Sequence, residues 1–175
     1  MQQVYMSYDD GKVNLMINMP SPNFNHRPDG TLVNSIIIHY TGMETAQDAL
    51  DRLCDPTSEV SAHYTIDMDG TVYNHVVPTK RAWHAGVSQW GKLSNFNDFS
   101  IGIELVNKGH EFGYHAFPDV QIDALIELMK GLFNQFPINR KLVLGHSDIA
   151  PNRKQDPGEL FPWDRLIAEK LAIRA

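Results

Sequence analysis

Three short runs of apolar residues, rich in Ile, Val and Leu, limit the folds that this chain can adopt. They occupy residues 35–40, 100–106 and 142–146 of a chain of 175 residues. A run that is apolar at nearly every position is typical of a strand buried on both faces of a sheet, because an exposed face would need alternating polar residues. The three runs therefore predict core strands.

Helix and turn signals fill the stretches between these runs. Capping residues precede apolar residues at helical spacing, and an Asp-Gly pair suits the left-handed positions of a tight turn. The predicted elements are a helix from Thr45 that stops before Pro56, a hairpin with strands at 63–67 and 71–76 around Gly70, a long helix from Pro118 to before Pro137, and a last helix from Pro162 that carries Leu166, Ile167, Leu171 and Ile173.

Strands that alternate with helices predict an α/β fold, with a mixed central β-sheet flanked by helices. The length suits one domain with a substantial core. We therefore expect a single domain over residues 1–175, in which residues 1–17 form an irregular N-terminal segment and residues 18–173 form the core.

Charge and cysteine content exclude several classes of function. The chain has 15 Lys and Arg against 21 Asp and Glu, a formal charge of -6, which argues against nucleic acid or an anionic membrane as the main partner. Cys54 is the only cysteine, so neither an intramolecular disulfide nor a cysteine-built structural zinc site is possible, and a small buried hydrophobe is its simplest role.

The hydropathy of the chain bears on its location. No window approaches the roughly 20 apolar residues that span a bilayer, so we expect no membrane span. The first 19 residues contain no apolar run of the length found in signal peptides. We therefore expect a cytoplasmic protein, or one of the cell envelope if the sequence is part of a longer chain.

The segment 145–158 contains side chains that suit a catalytic metal centre. It carries His146, Lys154 and Asp156, and His39 ends another predicted core strand. Ligands gather outside the carboxyl ends of strands in open α/β sheets, so the two imidazoles are expected to meet. Residues two apart share a side of an extended segment, so Lys154 and Asp156 are expected to face one cavity. We predict that His39, His146 and Asp156 bind zinc and leave one vertex open, while Lys154 approaches the substrate oxygen.

Glu104 is the single carboxylate in the apolar stretch 101–106. Burial raises the pKa of a carboxyl group, and a nearby metal would offer it a water proton to accept. Glu104 is therefore the candidate general base. The alternative is a structural carboxylate that reaches solvent at the end of the sheet or pairs with an arginine.

Other motifs point less clearly to chemistry. His110 and His115 resemble the HExxH zinc-protease motif, but they are five residues apart with Gly113 between them, so one helix face cannot present both. His63, in a predicted strand, is expected to be a core residue or to support a ligand. Ser147 lacks the Gly-x-Ser-x-Gly elbow of serine hydrolases.

At these positions the sequence resembles a known family, the zinc-dependent N-acetylmuramoyl-L-alanine amidases of type 2, which include the AmpD enzymes and share the fold of peptidoglycan recognition proteins. The resemblance spans about residues 18–173. It is carried, in order, by residues 37–41, 60–64, 69–73, 81–86, 100–104 and 145–157.

The resemblance implies a role for each candidate residue and a substrate. It implies that His39, His146 and Asp156 are zinc ligands, that Glu104 is the catalytic acid or base, and that Lys154 is the oxyanion partner. The expected reaction is hydrolysis of the amide bond between N-acetylmuramic acid and L-alanine, and the expected partners are peptidoglycan fragments or the cell wall.

Substrate contacts are also implied. The segment of Trp83 and His84 is similar to the family's substrate-contacting stretch, although an aromatic residue packed at a loop would look the same. Tyr40, which follows the first ligand, is similar to its counterpart in broad-specificity members that act on the cell wall.

Two other functions remain compatible with the sequence. One is a module that binds muropeptides without cutting them, as family members that lack a metal ligand do. The other is a metallohydrolase that acts on a different amide. The presence of three candidate ligands and two candidate catalytic partners favours the amidase.

Overall fold

The computed structural model describes residues 4–9 and 12–174, with side chains from residue 16 onward. Its main feature is a mixed sheet of seven strands. The strands are β1 (Val4–Asp9), β2 (Lys12–Asn18), β3 (Phe24–His26), β4 (Ser35–Tyr40), β5 (Tyr64–Ile66), β6 (Val72–Asn74), β7 (Lys80–Ala82), β8 (Gln89–Trp90), β9 (Leu93–Ser94), β10 (Ser100–Leu105) and β11 (Val143–Gly145). The helices are α1 (Ala46–Cys54), α2 (Gly109–Phe112), α3 (Asp119–Gln135), α4 (His146–Ile149) and α5 (Trp163–Ala168).

The order of strands in the main sheet is β1-β2-β6-β5-β10-β4-β11. Strands β5, β10, β4 and β11 run parallel to one another, whereas β5 and β6 form the predicted antiparallel hairpin. The predicted core strands β10, β4 and β11 thus lie side by side, and the expectation of a mixed α/β sheet is confirmed. No helix of the described part has both the length and the apolarity needed to cross a membrane.

Successive side chains of the core strands point to opposite faces of the sheet, so the buried apolar residues form two clusters. Ile36 and Ile38 of β4 pack with Leu125 of α3 in the larger apolar cluster. Ile37 faces the other way, into a smaller cluster with Leu144 of β11. Since α3 and most of the core cover one face, the opposite face is left with room for a site.

Two predicted helices begin and end where the sequence pattern places them. Helix α1 starts after Thr45, whose hydroxyl accepts a hydrogen bond from the Asp48 N–H at 3.1 Å. Helix α3 starts after Pro118 and ends one residue before Phe136, as the sequence pattern predicts. Both of these predictions are confirmed.

The expectation of an irregular segment at residues 1–17 is wrong for the residues that the structure describes. Strands β1 and β2 pair antiparallel, and β2 continues the main sheet by pairing with β6. Asp10-Gly11, which separates the two strands in the sequence, is a dipeptide typical of hairpin connections. The dipeptide therefore indicated a hairpin, which the expectation of an irregular segment overlooked.

Two further boundaries differ from the sequence prediction. The strand expected at 142–146 ends at Gly145, because the Gly145 N–H is donated to Asp148 Oδ2 at 2.7 Å and His146 opens α4. The last helix stops at Ala168, and Lys170 has φ of 58°, which a continuing helix cannot accommodate. Leu171 is nevertheless buried, so its apolar character reflected the core and not the helix.

The packing of α3 leads to a stability prediction. Met129 is 0 % exposed in the larger cluster, so Met129→Ala should leave a cavity and lower the free energy of unfolding by about 2–5 kcal/mol. Gly131→Ala in the same helix is the matched control, because an added Cβ would have no atom within 4 Å and should add up to about 1 kcal/mol. Urea denaturation of both variants measures the difference in their free energies of unfolding. Equal denaturation midpoints for the two variants would contradict the burial of Met129 in the larger cluster.

Candidate active site

Strand register brings three predicted residues to one end and one face of the sheet. Glu104 of β10 is the register partner of His39 of β4, and Gly145 of β11 is the partner of Ile38, so His146 follows one residue beyond. These side chains point away from the face that α3 covers, because Ile38 and Ile103, their neighbours in sequence, pack on that face. The site is therefore a product of three adjacent parallel strands.

Asp156 reaches the same place from the irregular segment after α4. The Ser147 N–H donates to the Asp156 carbonyl oxygen at 2.8 Å, which ties this segment to the start of α4. Asp156 Oδ2 then lies 2.9 Å from His39 Nδ1 and 3.0 Å from His146 Nδ1. The two Nδ1 atoms are 3.0 Å apart, and all three side chains are buried.

This triangle of atoms suits one divalent cation. His146 Nε2 lies 3.0 Å from the carbonyl oxygen of Ala85, which can only accept, so Nε2 carries the proton of the neutral ring and Nδ1 presents a lone pair. That lone pair faces a carboxylate oxygen, an arrangement that is repulsive without a cation between them. Each edge of the triangle is shorter than two zinc–ligand bonds of about 2.1 Å, so all three atoms can bind one ion.

His39 is poised to act as a neutral ligand. Burial, followed by the proximity of His146, lowers the pKa of His39 to about 4. The ring is therefore neutral near pH 7, which is the form of imidazole that coordinates metals. The structure thus brings together the three residues that the sequence analysis proposed as ligands.

Glu104 has the environment of a proton carrier. Its Oε2 atom is buried and has no hydrogen-bond partner among the described residues, so the alternative of a structural pairing with an arginine is not found there. Burial, with the negative charge of Asp156 beside it, raises the pKa of Glu104 well above its ordinary value, although Lys154 opposes the shift. A carboxylate with a raised pKa can accept and return a proton near neutral pH.

A cavity of about 580 Å³ opens in front of these groups. Lys154 is half-buried in its wall, as the two-residue spacing from Asp156 predicts. Tyr40 and Trp83, which the resemblance implied as substrate contacts, are also half-buried in the wall. Substrate contact by these two side chains stays a prediction that the geometry permits.

His84 has a different environment from the one predicted. The ring is buried, its Nδ1 lies 3.0 Å from His39 Nε2, and its Nε2 lies 3.2 Å from Ser100 Oγ. Although His84 borders the cavity, both ring nitrogens are engaged by the protein. It therefore lies behind a candidate ligand and has no free nitrogen to offer a substrate.

The remaining histidines lie outside the triangle. His63 is buried, and its Nδ1 accepts the Gly102 N–H at 3.0 Å, which agrees with the prediction of a core or supporting residue. His110 is in α2 and His115 follows it in a loop, and the two do not form a common metal site among the described residues.

Some residues of the site carried no local signal in the sequence. His110 Nδ1 lies 2.9 Å from the Tyr40 hydroxyl and its Nε2 lies 3.0 Å from Glu159 Oε2, so it braces the wall of the cavity. Arg52 of α1 lines the same cavity. The two contacts of His110 join positions 70 and 49 residues apart, and no spacing rule connects them.

Comparison with known proteins agrees with this geometry. Residues 29–159 match the family model described as N-acetylmuramoyl-L-alanine amidase. The chain is 39% identical to the N-acetylmuramoyl-L-alanine amidase AmiD of Escherichia coli (strain K12), over 78% of this chain and 53% of AmiD. It is 37% identical to the 1,6-anhydro-N-acetylmuramyl-L-alanine amidase AmpD of the same organism, over 85% of this chain and 88% of AmpD. The chain thus spans about half the length of AmiD and most of AmpD.

Solved structures show the same fold. AmiD from E. coli, in complex with the substrate anhydro-N-acetylmuramic acid-L-Ala-D-gamma-Glu-L-Lys, aligns with a TM-score of 0.74 at 33% identity, over 85% of this chain and 62% of that chain. Drosophila peptidoglycan recognition protein SD aligns with a TM-score of 0.60 at 22% identity, over 84% of this chain and 86% of that chain. The predicted fold of peptidoglycan recognition proteins is confirmed.

The triangle predicts the effect of removing one of its members. Asp156→Ala should abolish stoichiometric binding of added Zn²⁺, because two imidazoles alone leave the ion without its charged ligand. Asp123→Ala, which removes a carboxylate paired with Arg165 away from the site, is the control and should bind Zn²⁺ like the unaltered protein. Isothermal titration calorimetry measures both. Stoichiometric binding at unchanged affinity by Asp156→Ala would show that the triangle is not the metal site.

Proposed function

The chain belongs to the N-acetylmuramoyl-L-alanine amidase family, and we propose that it is a zinc-dependent enzyme that hydrolyses the amide bond between N-acetylmuramic acid and L-alanine. One observation carries the proposal. The triangle of His39, His146 and Asp156 shares a cavity with Glu104 and Lys154. A candidate metal site, a carboxylate that can carry a proton and a lysine side chain can therefore act on one bound substrate.

The donor set supports zinc as the metal. Two imidazole nitrogens and one carboxylate oxygen form a three-ligand set of the kind that catalytic zinc uses, with the fourth position left for water or substrate. When bound, zinc would lower the pKa of a coordinated water molecule and would polarise the carbonyl group of the substrate.

Glu104 moves the proton in the proposed reaction. Hydrolysis of an amide needs a base to take a proton from the attacking water and an acid to protonate the departing nitrogen. The carboxylate of Glu104, which lines the cavity, can do both in turn, first accepting the water proton and then returning it to the nitrogen of L-alanine. The bond that forms joins the water oxygen to the lactyl carbonyl carbon, and the bond that breaks is the carbon–nitrogen bond of the amide.

Lys154 stabilises charge in the same proposal. Attack on the carbonyl places negative charge on its oxygen, and an ammonium group in a partly buried wall stabilises that charge better than water can. Lys154 is half-buried in the wall of the cavity that Glu104 and the triangle also line, and its positive charge opposes the rise in the pKa of Glu104.

The relatives support an anhydro-muropeptide as substrate. AmpD is named for 1,6-anhydro-N-acetylmuramyl-L-alanine, and AmiD has been solved with an anhydro-muropeptide. We therefore propose that this chain cleaves anhydro-muropeptides. Incubation with a soluble anhydro-muropeptide, with intact peptidoglycan and with a simple peptide, followed by mass spectrometry of the products, tests the assignment.

The three substrates separate the proposal from its alternatives. Release of a free L-alanine amino terminus from the muropeptide supports the amidase. Binding of the muropeptide in the presence of Zn²⁺ with no cleavage from about pH 5 to 9 would make the chain a binding module. Cleavage of the simple peptide alone would make it a metallohydrolase of another amide.

Replacement of Glu104 should separate metal binding from turnover. Glu104→Gln keeps the size of the side chain but cannot accept a proton, so kcat should fall by at least about 10²-fold while Zn²⁺ affinity stays unchanged. Lys154→Met should lower kcat by about 10²–10³-fold, also with Zn²⁺ retained. Product formation on the anhydro-muropeptide and metal analysis measure the two effects. Full activity of Glu104→Gln would remove Glu104 from the reaction.

A further inference from the structure

A chain of hydrogen bonds runs behind the candidate ligand His39 and ends in the protein interior. It passes from the backbone carbonyl of Phe96 to the Ser100 hydroxyl, then to the His84 ring, and then to His39 Nε2. We propose that His84 is a positioning residue that sets the tautomer of His39 and thereby presents the His39 Nδ1 lone pair to the metal. The proposal rests on the metal-binding part of the proposed function.

The direction of each hydrogen bond follows from its fixed end. A backbone carbonyl only accepts, so the single hydroxyl proton of Ser100 is donated to the Phe96 oxygen. The Ser100 oxygen is then left to accept, and the group that faces it at 3.2 Å is His84 Nε2. His84 Nε2 therefore carries a proton.

The same reasoning continues through the two rings. In a neutral imidazole one nitrogen is protonated and the other is not, so His84 Nδ1 accepts the proton of His39 Nε2 across 3.0 Å. His39 Nδ1 is then the unprotonated nitrogen, and it is the atom 2.9 Å from Asp156 Oδ2. Without this relay His39 would be free to place its proton on Nδ1, where it would block the metal.

The residue after His84 performs the same task for the other histidine. The Ala85 carbonyl oxygen accepts the His146 Nε2 proton at 3.0 Å, and Arg153 donates to that oxygen at 2.8 Å. Consecutive residues thus orient both imidazole ligands. Their backbone N–H groups are both donated to Asn97 Oδ1, at 3.1 Å for His84 and 2.7 Å for Ala85, which holds the pair in place.

Gly102 supplies the space that His84 needs. A Cβ built at Gly102 would lie 2.3 Å from the His84 ring, a distance that no side chain tolerates. Glycine weakens the interior of a strand and often marks a position where another group approaches closely. The presence of Gly102 in the middle of β10 is therefore explained by the ring that packs on it.

The tautomer is measured directly in the metal-free protein. Nitrogen-15 chemical shifts of the imidazole rings distinguish a protonated Nε2 from a protonated Nδ1. In the unaltered protein His39 should carry its proton on Nε2. In His84→Phe, which keeps a ring of similar shape but removes the acceptor, both tautomers of His39 should be populated. A His39 protonated on Nδ1 in the unaltered protein would overturn the proposal, whether or not zinc binds.

Zinc affinity gives the second readout. His84→Phe should weaken Zn²⁺ binding by about 10–100-fold in competition with a chromophoric chelator, because partners of this kind tune metal affinity by that factor. His84→Asn, whose Oδ1 lies near the position of the lost Nδ1, should recover part of the loss. His75→Phe is the matched control, since His75 is buried and hydrogen-bonded to Met19 and Thr65 but contacts no ligand, and it should leave the affinity unchanged.

Ser100 tests whether the relay acts as a unit. Ser100→Ala should weaken Zn²⁺ binding by about 2- to 10-fold, as expected for one hydrogen bond, and should have no further effect in a His84→Phe background. If His84→Phe does not fold, Gly102→Ala displaces the same ring and should weaken Zn²⁺ binding, while Gly131→Ala should not. Unchanged affinity in folded His84→Phe, or additive effects of the two substitutions, would overturn the proposal. If the unaltered protein binds no Zn²⁺, the proposed function fails, and the tautomer measurement still judges the relay.

Discussion

Parallel register between β10, β4 and β11 is the constraint on which the rest of the site depends. The register pairs Glu104 with His39 and brings His146 just beyond the Gly145–Ile38 pair. Because hydrogen bonds between strands fix this alignment along their whole length, the apolar residues that bury the strands also set the positions of the polar residues at their ends. Core packing and site geometry are therefore one problem in this protein.

Hydrogen bonds stabilise the polar groups that are buried around the candidate metal site. Both ring nitrogens of His39, His84 and His146 have partners, and the segment around Ala85 is tied down by Asn97 and Arg153. Glu104 is the exception, because one of its oxygens has no hydrogen-bond partner among the described residues. An unsatisfied carboxyl oxygen is costly to bury. Such a cost is typical of groups retained for chemistry, which is consistent with the role proposed for Glu104.

Much of the fold followed from local patterns, and the exceptions have physical reasons. Runs of buried apolar residues predicted the central strands, and Thr45 and Pro118 predicted where two helices begin. The hydrophobic pattern was less informative at the ends of elements, where a buried residue need not belong to the helix or strand beside it. Leu171 is buried although it lies after α5, and His146 opens a short helix although it follows a strand. Hydrophobic periodicity reports which residues are covered, and the backbone conformation at such ends depends on caps and turns.

The sequence by itself determined the class of fold and the set of residues that meet at the candidate metal site, because strand ends and two-residue spacing place side chains predictably. Only the tertiary structure decided what each of them touches. His84 followed Trp83 in a segment expected to contact substrate, yet its ring lies against Gly102 and both of its nitrogens are bound within the protein. Contacts between positions distant in the chain depend on how strands and loops pack together, and no local pattern in one sequence encodes them.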